Sequence, residues 1–107
     1  MAFYEIRQYH VRRGKMAEWL KLMEEKIIPF QVSKGMVICG SFKGEKDETV
    51  YFWLRRFTTE KQRERLYKAV YETDYWKNEI SPQVGKLLDR DKMIVTRVVP
   101  TPKSTVQ

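Results

Sequence analysis

The stretch Glu48–Phe57, ETVYFWLRRF, carries the strongest strand pattern in the chain. Its β-branched and aromatic residues suit a pleated, packed surface. Strand alternation turns Val50, Phe52 and Leu54 one way, and Tyr51, Trp53, Arg55 and Phe57 the other. Both sides are heavy, so both need cover. Just upstream, Met36–Phe42 (MVICGSF) also reads as a strand. The polar loop Lys43–Asp47, with Gly44 inside it, joins the two as a β-hairpin.

Working outward, Phe3–Val11 (FYEIRQYHV) is a first strand. It places Tyr4, Ile6, Gln8 and His10 on one face and Phe3, Glu5, Arg7, Tyr9 and Val11 on the other. Neither face is purely apolar. Arg12–Lys15 is a turn in which Gly14 supplies backbone freedom. A helix over about Lys15–Ser33 follows, with Met16, Trp19, Leu20, Met23, Ile27 and Phe30 in one apolar stripe. Pro29 should kink it or end it near Ile28, and Gly35 is a plausible stop.

On the other side of the hairpin, Thr59–Gln62 matches a capping box. The helix it starts should run to about Glu72 and bury Leu66, Ala69 and Val70. Asp74–Ile80 suggests a helical turn, and Ser81-Pro82 a fresh helix start that ends near Leu88. Asp91–Pro100 is the last strand. The order is βαββαβ with an extra short helix before the last strand, the α+β ferredoxin-like plan. One domain is expected over 1–100, and the polar Thr101–Gln107, holding Pro102, as a C-terminal tail that frays. A one-layer sheet with helices on one side leaves a face open. Apolar residues on both sides of the third and last strands therefore predict a homodimer that pairs two sheets.

The chain has 107 residues, 42% hydrophobic and 33% charged, which excludes a disordered chain and leaves room for one domain. The net charge of +7 is interspersed with acidic residues, and no nucleic-acid motif is present. The Arg55–Lys68 run is basic, but Glu64 and Lys68 sit at the spacing of a solvated ion pair. Nucleic acid is not expected as a partner. No apolar run approaches the ~20 residues of a membrane span, and no signal-peptide stretch opens the chain. Neither a membrane partner nor export is expected, and the reading is cytoplasmic. A lone Cys39 excludes an internal disulfide and a multi-cysteine metal site. In its apolar strand Cys39 reads as a packed small hydrophobe.

Tyr4-Glu5-Ile6-Arg7-Gln8-Tyr9, then Arg13-Gly14-Lys15 and an apolar-striped helix, resembles the opening of NIPSNAP domains. Those typically read Y-E-hydrophobic-R-x-Y and then P-G-K, so Arg13 stands where Pro is usual. Trp53–Phe57, Glu64–Tyr67 and Tyr75–Ile80 resemble a bacterial branch of the same family. The resemblance spans roughly Phe3–Pro100 and implies a dimeric α+β barrel and no common established reaction. Independently of it, no cofactor or metal is expected, and the homodimer could assemble into a higher oligomer. Related barrels include heme-degrading monooxygenases whose iron-binding histidine lies on a helix; His10, the only histidine, ends a strand and does not fit that role.

The candidate site is the mixed face of the first strand. If it lines the barrel, Glu5, Arg7 and Tyr9 meet Tyr51, Trp53 and Arg55 of the third strand and Arg97 of the last, with Trp76 at the rim. Aromatic walls with a few fixed charges suit a small-molecule pocket. Arg7 or Arg55 could clamp a carboxylate or phosphate, and Glu5 could be a general base if burial raised its pKa. The structural alternative is a buried ion pair of Glu5 with Arg7 or Arg55 that sets the register. The function expected is binding of a small molecule or protein partner. The alternative is a cofactor-free enzyme, monooxygenase- or isomerase-like, acting in that pocket.

Overall fold

Alternating aromatic, apolar and charged side chains form β1 (Phe3–Val11), a central strand of a four-stranded antiparallel sheet. The structure is a computed structural model and describes residues 2–107. β2 (Val37–Lys43), β3 (Val50–Phe57) and β4 (Leu88–Val98) complete the sheet in the order β2-β3-β1-β4. That order and the βαββαβ path are ferredoxin-like, as the sequence predicts. β1 sets Glu5 opposite Arg55, Arg7 opposite Trp53, and Tyr9 opposite Tyr51. On its other edge Glu5 stands opposite Arg97.

The hairpin strands are offset slightly from their sequence limits. β3 starts at Val50 because Asp47 captures Thr49 locally: its Oδ1 accepts from the Thr49 N–H at 2.9 Å and the Thr49 hydroxyl at 2.6 Å. A register shift between Ile38 and Gly40 leaves Cys39 exposed. The expected packed cysteine is therefore a surface thiol on an edge strand.

Pro29 does not end the first helix. α1 (Met16–Leu22) passes into a π turn (Met23–Ile27) and then α2 (Ile28–Ser33) without a break. The Ile28 N–H donates to the Met23 carbonyl, five residues back. A proline cannot donate and crowds the carbonyl four residues before it. The wider π turn lies where that conflict would fall. Gly35, at φ +105°, closes the helix.

The second helical half repeats this device. α3 (Glu60–Tyr71) starts at Thr59, whose hydroxyl accepts from the Gln62 N–H at 3.1 Å. Gln62 reaches back to the Thr58 N–H at 2.7 Å, one residue earlier than a capping box requires. A π turn (Tyr75–Ile80) then runs directly into α4 (Ser81–Leu87). Ser81 is helical, at φ −55° and ψ −41°, so it is no cap. Its hydroxyl instead receives Arg90 at 3.1 Å.

The helices cover the face bearing Glu5, Arg7 and Tyr9. Trp19, Met23, Ile27, Tyr51, Ile80 and Leu88 form the main core there, and Phe3, Met36, Phe57, Leu66 and Val70 a second cluster. The opposite face carries Ile6, Phe42, Phe52, Leu54, Ile94 and Val98, with Phe42 53% and Ile94 58% exposed. His10 is on this open side, away from the candidate site. The C-terminal tail, expected to fray, folds back over one end of it. Arg56 Nε donates to the Gln107 carbonyl at 2.8 Å, and Val106 shares a shallow groove with Tyr4, Leu54 and Val98.

Candidate functional site

Three elements converge above β1. α2 supplies Gln31, α3 supplies Arg63, Tyr67 and Tyr71, and β3 supplies Arg55. Arg55 is fully buried. One terminal nitrogen donates to Glu5 at 2.8 Å and Tyr67 at 2.7 Å; the other donates to Gln31 at 2.9 Å and Tyr71 at 2.7 Å. Its Nε has no partner among the described residues. The guanidinium lies 4.9 Å from the Trp53 ring and 5.1 Å from the Tyr67 ring, so aromatic faces supply part of its solvation.

Glu5 closes the network. It accepts from Arg55, from Arg63 Nε at 2.8 Å and from the Tyr67 hydroxyl at 2.6 Å. Burial pushes its carboxyl up, but the Tyr67 hydrogen bond, the Arg55 charge and the bonds from Arg63 and Arg55 outweigh it. The result lies below the ordinary 4.5. A raised pKa, the condition for Glu5 as a general base, is not met. Burial also pushes the Tyr67 hydroxyl up to about 12, against the opposing Arg55 charge, so it stays protonated as the donor to Glu5. Apart from the Arg55 Nε, these groups satisfy one another, which favours the structural ion pair.

Beside this network lies a cavity of about 220 Å³. Arg7, Tyr9 and Trp53 form its sheet wall, and Met93 and Arg90 of β4 flank it. Trp19, Met23, Ile27 and Gln31 line it from the first helix, Tyr67 and Tyr71 from α3, and Trp76 from the second π turn. Both π turns thus contribute side chains. All three tryptophans of the chain are lining residues. Burial of the Tyr9 hydroxyl raises its pKa despite the neighbouring Arg7, so it remains a neutral phenol beside that guanidinium.

Four of the eight expected site residues therefore line the cavity: Arg7, Tyr9, Trp53 and Trp76. Glu5 and Arg55 lie behind its wall, linked to it through Tyr67. Tyr51 is core: it packs against Trp19 with ring centres 5.7 Å apart, and its hydroxyl pairs with Ser41. Arg97 stands outside, bound to Glu60 at 2.7 Å and lying over Phe3. The expected interior between two facing sheets is also corrected, because this face turns to the chain's own helices. Sequence reading missed Tyr67, Tyr71 and Gln31. The signal for the tyrosines is their four-residue spacing, one position past Leu66 and Val70. For Gln31 it is a polar residue four after Ile27, on the apolar stripe. Among the described residues no group of three or more His, Cys, Asp or Glu is placed to hold a metal ion.

The family model named NIPSNAP matches residues 4–104. The chain belongs to the NIPSNAP family. Solved NIPSNAP structures share its fold. A NIPSNAP family protein from Agrobacterium tumefaciens is 23% identical, with all of both chains covered and a TM-score of 0.88. A second, of unknown function and from the same organism, is 21% identical over 99% of this chain and 94% of its own, also at 0.88. An uncharacterised NIPSNAP-like domain protein from Burkholderia xenovorans is 18% identical over 96% and 88%, at 0.85. No curated protein matches the chain. At these identities the NIPSNAP structures establish the fold, and function has to be argued from this chain's own cavity.

Proposed function

We propose that this NIPSNAP protein binds a small molecule in the cavity between its sheet and helices, and does so as a homodimer paired through the open sheet face. The cavity carries the first part. Aromatic and aliphatic walls with a few fixed polar groups are the usual composition of a small-molecule site. The open face carries the second. Phe42, Phe52, Leu54 and Ile94 leave an apolar surface that a second copy covers by a two-fold axis, the same patch serving on both subunits. Among the described residues no helix is long and apolar enough to cross a membrane. The enzymatic alternative loses its base, since Glu5 is held ionised by three donors and does not line the cavity.

Native mass spectrometry of freshly purified protein tests both parts. The expected result is a dimer mass that carries extra bound mass, or gains it when small apolar compounds are added. A bare dimer that takes up nothing removes the binding function. A monomer at micromolar concentration removes the dimer.

A further inference from the structure

Positive charge is shared unequally between the cavity and the network behind it. Glu5 stands within 4 Å of three guanidiniums: Arg55 and Arg63 at 2.8 Å and Arg7 at 3.8 Å. The two short contacts, with the Tyr67 hydroxyl, occupy its oxygens. Arg7 is left with the long one. Its hydrogen-bond partners are all neutral: the Tyr9 hydroxyl at 2.7 Å, the Tyr67 hydroxyl at 3.4 Å and the Met93 sulfur at 3.2 Å. A thioether is a weak acceptor. Arg7 is thus a full charge, 15% exposed, with no carboxylate in hydrogen-bond reach.

That guanidinium is part of the cavity wall. Arg90 also lines it, and no Asp or Glu does among the described residues. Two of the lining residues, Trp19 and Trp53, also carry unpaired donors. The indole N–H groups of Trp19 and Trp53, each at least 98% buried by residue, have no partner among the described residues. A buried donor without an acceptor, and a largely buried cation whose one carboxylate lies 3.8 Å away and is shared with two closer guanidiniums, both gain from an incoming acceptor with negative charge. Elsewhere in the wall Met23, Ile27 and Trp76 offer apolar surface to the rest of such a molecule, beside the amide of Gln31 and the rings of Tyr67 and Tyr71. About 220 Å³ is below the ~300–1,000 Å³ of drug-sized sites, which limits the occupant to one or two rings or a short chain.

We propose that the ligand is a small apolar monocarboxylate, its carboxylate paired with Arg7 and its apolar body against Trp53 and Trp76. This rests on the small-molecule reading above and names the ligand class. A single partly buried guanidinium matches one negative charge. Its planar fork fits a carboxylate with two parallel N–H···O bonds. Arg90 stays at the surface, tied to the Ser81 carbonyl at 3.0 Å, where it attracts anions toward the cavity without entering it.

The test is a calorimetric titration of the intact protein with 4-phenylbutyrate, 4-phenylbutyramide, 4-phenylbutylamine and inorganic phosphate. The carboxylate should bind roughly tenfold or more tighter than its amide, the scale of one charge-assisted hydrogen-bonded pair. The amine and phosphate should bind weakest. In Arg7→Met the acid and amide should converge to within about twofold, while the amide keeps its wild-type affinity; Arg7→Lys should retain part of the preference. Equal binding of acid and amide by the wild-type protein overturns the ligand class and leaves the small-molecule reading standing. Tightest binding by phosphate or the amine overturns the class too. If none of the four binds, both readings fall. The wild-type ratio decides the matter even if Arg7→Met does not fold.

Discussion

The sheet face under the helices and the face turned to solvent are both built by alternation along β1 and β3, yet they dispose of polar groups in opposite ways. Under the helices, Glu5 and Arg55 are nearly inaccessible, and each makes several bonds of 2.6–2.9 Å to named partners. On the open face, Gln8 and Thr96 meet solvent among Ile6, Phe52 and Leu54. Cover, not composition, separates the two. A polar group beneath a helix must be matched, and one in water need not be. Substitutions should therefore unfold the chain from the covered side and alter only its association from the open side.

Trp53→Ala presses hardest on that contrast. Trp53 is 2% exposed, packs edge-on to Tyr9 and supplies one aromatic face to Arg55. Truncation should cost on the order of 3–5 kcal/mol in urea unfolding, a large part of the stability of a domain this size. A parent-like transition would mean that the covered face is not the core.

Glu5→Gln comes next, at roughly 3 kcal/mol, because it leaves the buried Arg55 without its countercharge. Its signature is in pH. The folded pKa of Glu5 lies below its ordinary 4.5, so below about that pH the unfolded chain binds the extra proton. Stability from this group is complete above pH 4.5 and is lost as pH falls through the lower, folded value. The variant should show a flatter acid slope than the wild type. An unchanged slope would assign the acid sensitivity to another carboxylate.

The same contrast explains what the sequence could and could not reveal. Strand alternation depends on local steric preference, so the strands, their faces and the βαββαβ order are readable along the chain. It does not say which face the helices take. That choice depends on long-range packing, as where Gln31, Tyr67 and Tyr71 meet Arg55, and the expected site was accordingly placed between two sheets. Glu5 and Arg55 were visible as a pair, but not the second helix's tyrosines that complete their shell. The π turns were hidden for a related reason: Pro29 and Pro82 look like helix boundaries locally, and only tertiary packing of the flanking turns keeps the helices continuous through them.

The smallest effect on folding and the clearest on assembly should come from Ile94→Lys. Ile94 is 58% exposed, on an edge strand and on the face opposite the cavity. Surface substitutions of this kind shift stability by about 0.5 kcal/mol or less, so urea unfolding of the monomer should be parental. Two copies paired through this face would bring both new lysines into one apolar contact, where desolvating them is unfavourable. Light scattering should then show a dimer for the wild-type protein and a monomer for the variant, with carboxylate binding in the cavity retained. A variant that stays dimeric would place the interface elsewhere. A variant that loses ligand with the dimer would show that the cavity depends on the partner's sheet, and the two faces would no longer be independent.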